Sequence, residues 1–98
     1  MADEQGRPSE EELREALGRV GVSDVLVNAL SAVASIAFHR LSAEARDLEQ
    51  VRLAIEALRA LEPVLRENGV DDALVRDLEG ARTNLQLAYA AAAAEPSG

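Results

Sequence analysis

Fourteen consecutive residues, Val25 to Phe38, hold eleven apolar side chains and only three polar ones, Asn28, Ser31 and Ser35. On a helix turning about 100° per residue, those apolar positions cover well over half of the circumference. The remaining polar line, Asp24, Asn28, Ser31, Ser35 and His39, recurs at spacings of three and four and stacks along one narrow face. A helix that is apolar almost all round must lie at the centre of whatever this chain builds. Its start is expected just after Ser23 or Asp24, and its end near Arg40. A membrane span is not expected, because a span takes about 20 predominantly apolar residues and this segment is shorter and interrupted.

The rest of the chain reads as helix too. Ala, Leu, Glu, Arg and Gln dominate, whereas the aromatic residues that favour strands come to one Phe, one Tyr and no Trp. Ninety-eight residues suffice for one core. The expected organisation is a single helical domain over residues 9–94, with polar tails at 1–8 and 95–98.

Ser9 followed by Glu12 has the spacing of a capping box and starts a short first helix. It carries Leu13, Ala16, Leu17 and Val20 on one side, stops between Gly18 and Gly21, and is expected to dock on the remainder. Asp47 with Gln50 is a second capping-box pattern. It opens a long helix whose apolar seam is Leu48, Val51, Ile55, Leu58, Leu61 and Leu65, with a bend expected at Pro63 and an end at Asn68-Gly69. A fourth helix starts near Asp71, where Val70 and Val75 can form a hydrophobic staple. Its stripe is Leu74, Leu78, Ala81, Leu85, Ala88 and Ala92, running on into the alanines 90–94.

The short link between the last two helices predicts an antiparallel hairpin. The fold class is therefore all-α: a small helical bundle with the central apolar helix packed on that hairpin. The central helix shows more apolar surface than one hairpin can cover, so a homodimer is expected to complete the bundle. Leu30, Val33, Leu58 and Leu85 are the expected core, and Leu26, Leu30, Val33, Ala34 and Ala37 the expected interface. Whether the polar line Asn28, Ser31, Ser35 and His39 faces solvent or a second copy is open at this level.

The segment Asp47-Leu48-Glu49-Gln50-Val51-Arg52 with Ile55, Leu58 and Leu61, followed by Asn84-Leu85-Gln86-Leu87-Ala88-Tyr89, resembles the bacterial domain-of-unknown-function family eighteen-forty-four. The resemblance spans roughly residues 22–92 and includes the apolar helix, although Val51 stands where Ala is expected. It implies a small helical protein, whose genes in some bacteria lie beside that of translation initiation factor three. It implies no catalytic or binding residue.

The chemistry-bearing residues are few. His39 is alone, and with no Cys in the chain it has no metal-ligand spacing around it; a histidine at a helix C-terminus suits the helix dipole instead. Asp71 and Asp72 fit a helix start, where capping and the dipole explain both. Ser23, Ser31 and Ser35 lack a nucleophile turn, and Gly18, Gly21, Gly69 and Gly80 form no phosphate loop. No enzyme, metal or cofactor is expected.

The net charge is −8 and all ten basic residues are Arg, which disfavours direct DNA binding. The acids between Asp3 and Glu15 serve solubility or attract a basic protein, such as a ribosomal or translation-linked one. The opening residues lack the form of a secretory signal, so a cytoplasmic setting is expected. Together these readings point to a non-enzymatic helical protein-interaction module, with structural self-assembly as the alternative.

Overall fold

In the computed structural model, which describes residues 9–95, the chain forms four helices: α1 (Glu10–Arg19), α2 (Val22–His39), α3 (Leu48–Glu67) and α4 (Asp72–Ala93). There are no strands among the described residues. The tail expected at 1–8, and all but Glu95 of the one expected at 95–98, lie outside them.

Capping explains where these helices begin. The Ser9 hydroxyl accepts from the Glu12 amide at 3.1 Å, and the Glu12 carboxylate accepts from the Ser9 amide at 2.9 Å, completing the box at α1. These hydrogen bonds, foremost the one from the Ser9 backbone, hold the Glu12 carboxyl below its ordinary range. At α3 only half of the expected box forms: Asp47 accepts from the Gln50 amide. Asp71 caps α4 by accepting from the Ala73 amide. Val70 and Val75 both join the core at that corner, as a staple requires. Helix α2 starts two residues before the expected place, with Gly21 as its N-cap and no side-chain capping bond. Neither Ser23 nor Asp24 caps it; apolar packing, not a cap, fixes this helix.

Helix α3 runs unbroken through Pro63 and ends in a Schellman turn. The Gly69 amide donates to the Arg66 carbonyl and the Val70 amide to the Leu65 carbonyl, while Gly69 adopts φ +79°. That left-handed conformation is the reason for glycine here. Replacing Gly69 by Ala is expected to destabilise the chain by about 1 kcal/mol. By contrast, Gly80→Ala, in mid-helix with open space where the Cβ would sit, is expected to stabilise it by about 0.5–1 kcal/mol. Urea midpoints of the two variants, measured at one protein concentration, check the opposite signs.

Helices α3 and α4 form the expected antiparallel hairpin, and α2 packs on both. One apolar cluster joins the three: Leu30, Ala34 and Ala37 from α2, Val51, Ala54, Ile55, Leu58 and Leu65 from α3, and Val75, Leu78 and Leu85 from α4. Leu30, Leu58 and Leu85 are thus core as expected, and Val33 is half-buried beside them. Leu74, expected on the α4 seam, is exposed; Val75 takes its place because the true seam runs 75, 78, 85, 92.

Helix α1 does not dock. It packs on none of the other helices and buries no residue. The molecule is accordingly drawn out to 58 Å, against about 33 Å for the 22 residues of α4.

Candidate docking surface

Helix α2 divides lengthwise into three sectors. The core sector is Leu30, Ala34 and Ala37, buried, with Leu26, Val27 and Val33 at its margins. The polar line Asp24, Asn28, Ser31, Ser35 and His39 faces solvent within the single chain. The third sector holds Val22, Val25, Ala29, Ala32 and Ile36, all exposed, with Val22 at 76% and Ile36 at 56%. Their spacing of 3, 4, 3, 4 is that of a helix-pairing seam. By length and composition α2 would also cross a membrane: its 18 residues have mean hydropathy 1.5 and only 17% of them are buried.

Sequence reasoning placed the interface at Leu26, Leu30, Val33, Ala34 and Ala37. Leu30, Ala34 and Ala37 are buried against α3 and α4, whereas the half-buried Leu26 and Val33 reach the recesses at the two ends of the exposed strip. The uncovered apolar face is the sector beside the buried three. Counting apolar residues could not separate the two, because both have helical spacing; only the position of the hairpin does.

The exposed strip has apolar recesses at both ends. At its N-terminal end α1 and α2 meet in an elbow, where Leu17, Val20, Val22, Val25 and Leu26 line a recess of about 310 Å³. At its C-terminal end a groove of about 370 Å³ runs between α2 and α3, lined by Val33, Ile36, Ala37, Leu53, Ala54 and Ala57 with Gln50. Leu13 and Leu17 of α1 and Leu53 of α3 extend the exposed apolar surface beyond the strip. Exposed apolar residues in this continuous arrangement mark a binding surface, whereas isolated ones do not.

Several other polar groups have structural partners. Arg82 joins the buried Glu62 across the hairpin, its Nε lying 2.8 and 3.0 Å from the two carboxylate oxygens, and its Nη1 donates to the Gln86 side-chain oxygen. Arg46 ties the α2–α3 loop to Glu95, past the end of α4, and donates to the Leu41 carbonyl. Arg66 pairs with Glu79, which raises the arginine's pKa from its ordinary value. Asp71 and Asp72 sit at the start of α4, as cap and in an ion pair with Arg76. Among the described residues no three His, Cys, Asp or Glu side chains come together in a group able to hold a metal.

The fold and surface define a three-helix bundle with a projecting N-terminal helix and one bare apolar helix face. No known protein family, curated protein or solved structure matches the chain.

Proposed function

We propose that this chain is a non-enzymatic helical protein-interaction module that acts through the exposed sector of α2. The observation that carries this reading is the continuous apolar surface from α1 along α2 to the α2–α3 groove, in a chain of net charge −8. A charged, soluble chain does not ordinarily leave so long a seam to water. A lipid partner fits less well. Moving α2 into a bilayer would pull Leu30, Ala34 and Ala37 out of the core they share with α3 and α4, and would carry Asp24 and the polar line with them.

The acids of α1, Glu10, Glu11, Glu12 and Glu15, are exposed and suit a basic protein partner. A ribosomal or translation-linked protein in the cytoplasm is the basic partner we propose; its support is the charge of these acids alone, because no family model matches the chain. Open-ended self-assembly is less favoured, because the other exposed leucines, Leu74 and Leu87 on α4, are thirteen positions apart and lie on different sides of that helix.

The test is affinity capture from host lysate with the wild-type chain and with Ala32→Glu, which alters only an exposed position. A protein, further copies of the chain included, should be held by the first and lost by the second. A salt-sensitive subset would point to the acidic α1. Identical profiles from the two baits would end this reading.

A further inference from the structure

We propose that the occupant of the α2 strip is a second copy of this chain, its α2 crossing the first antiparallel at Ala29, with each α1 laid over the partner's α2–α3 groove. The inference rests on α2 being a docking surface, and names what docks there.

The strip matches itself better antiparallel than parallel. Its sizes along the chain are Val22, Val25, Ala29, Ala32, Ile36. In an antiparallel pair centred on Ala29, that alanine meets its own copy, Val25 meets Ala32 of the partner subunit, and Val22 meets Ile36 of the partner subunit. Small side chains then stand where the helix axes cross and must approach, and larger ones where the helices diverge. A parallel pair would instead stack two successive alanine layers, at Ala29 and Ala32, where the antiparallel pair sets Val25 against each Ala32. Pairing of one patch with itself is the isologous contact that closes at two copies.

Charge allows the same arrangement. Two chains of net charge −8 repel, so a stable contact has to avoid the acids. The strip contains none, and its flanks are Leu26 and Val33 on one side and Asn28 and Ser35 on the other. The one acid of α2, Asp24, lies about a third of a turn away from the strip. In the antiparallel arrangement α1, with four Glu against Arg14 and Arg19, comes to the partner's α2 C-terminus, the end that carries His39 and Arg40 in this chain.

Size decides the role of α1. Stable dimers bury about 800 Å² per partner, from 20–30 residues a side, and five residues of one helix fall well short of that. The elbow places Leu17 and Val20 directly beyond Val22, so that α1 continues the strip past the partner's Ile36 towards the groove that contains Leu53. Adding α1 and the groove extends the contact well beyond those five residues. It also covers Leu13, Leu17 and Val20, which nothing else among the described residues covers.

The absence of cysteine makes the geometry directly readable. Single variants Val22→Cys, Ala29→Cys and Ile36→Cys, and the double variant Val22→Cys/Ile36→Cys, are oxidised at about 10 µM and the products sized. In the wild type the mass by light scattering should be twice 10.4 kDa. Ala29→Cys should cross-link with itself and the double variant should cross-link efficiently. Val22→Cys alone should not, because its two copies would stand about 20 Å apart.

Ala29→Glu, harmless to a single chain at an exposed position, should weaken pairing at least about a hundredfold with helical content unchanged. Leu17→Glu should weaken it about tenfold. Self-linking of Val22→Cys and Ile36→Cys would overturn the antiparallel crossing, and full-strength pairing of Leu17→Glu would overturn the place given to α1. A wild-type monomer at this concentration would overturn the whole proposal. If that monomer still captured a protein that Ala32→Glu lost, the interaction module would stand and only self-pairing would fail. If it floated with phosphatidylcholine vesicles, both would.

Discussion

Arg82→Met is expected to destabilise the chain by about 3 kcal/mol at neutral pH, although it keeps an unbranched apolar stem in place of the arginine's. The reason lies with the partner. Glu62 is only 4% exposed and sits in the C-terminal half of α3 against Arg82 of α4, where a carboxylate has little water to replace a lost donor. Arg82 reaches both of its oxygens through one nitrogen. Removing that cation leaves a buried charge uncompensated, for which about 3–5 kcal/mol is typical. The lower figure applies because the Arg82 side chain is itself 22% exposed, so water can enter the vacated space. Glu62→Leu with Arg82→Met removes both charges together and should return stability to within about 1 kcal/mol of the wild type. The comparison is Arg52→Met, which breaks the exposed pair with Glu56 and should change stability by less than about 1 kcal/mol. Guanidinium midpoints at one protein concentration check all three. A loss for Arg82→Met no larger than for Arg52→Met would mean that the Glu62 pair is hydrated and not part of the hairpin's core.

This pair marks where sequence reading reached its limit. Helix ends were legible because they depend on a few local atoms: Ser9 with Glu12, Asp47, Asp71, and Gly69 at positive φ all act within four residues of themselves. The α3 seam was legible because its periodicity is regular. Glu62, by contrast, looks in sequence like any surface acid between Leu61 and Pro63, and only the approach of Arg82 from twenty residues further on makes its burial tolerable. The α2 face failed for the opposite reason. The segment is apolar in so many directions that periodicity identifies the helix without saying which side the hairpin covers, and Leu30, Ala34 and Ala37 took the core while Val22, Val25 and Ile36 remained outside. Helix α1 was expected to dock because it has an apolar side. That side is only Leu13, Leu17 and Val20, and the Val20–Gly21 link turns it away from its own bundle.

Leu58→Ala is expected to lower unfolding free energy by about 3–4 kcal/mol, a large part of the 5–15 kcal/mol typical of a small domain. Leu58 is fully buried and shares the cluster with Leu30, Leu65 and Leu85. Its removal forfeits the transfer energy of the side chain and opens a cavity. The cavity should persist, because its surroundings are medium aliphatics and alanines held on three helices, and Tyr89, the aromatic packed against the cluster, sits only at its margin. Leu53, on the same helix and of the same type, separates core from interface. It is 61% exposed in the single chain, so Leu53→Ala should leave the stability of an isolated copy almost unchanged. In the proposed pair, where the partner's α1 lies over it, its loss should weaken pairing, and unfolding of a paired chain depends on protein concentration. The deficit of Leu58→Ala should therefore be the same at every concentration, whereas that of Leu53→Ala should appear only where the wild type is paired. Denaturation curves of the two variants across about a hundredfold range of concentration would distinguish a residue that holds the bundle together from one that holds two bundles to each other.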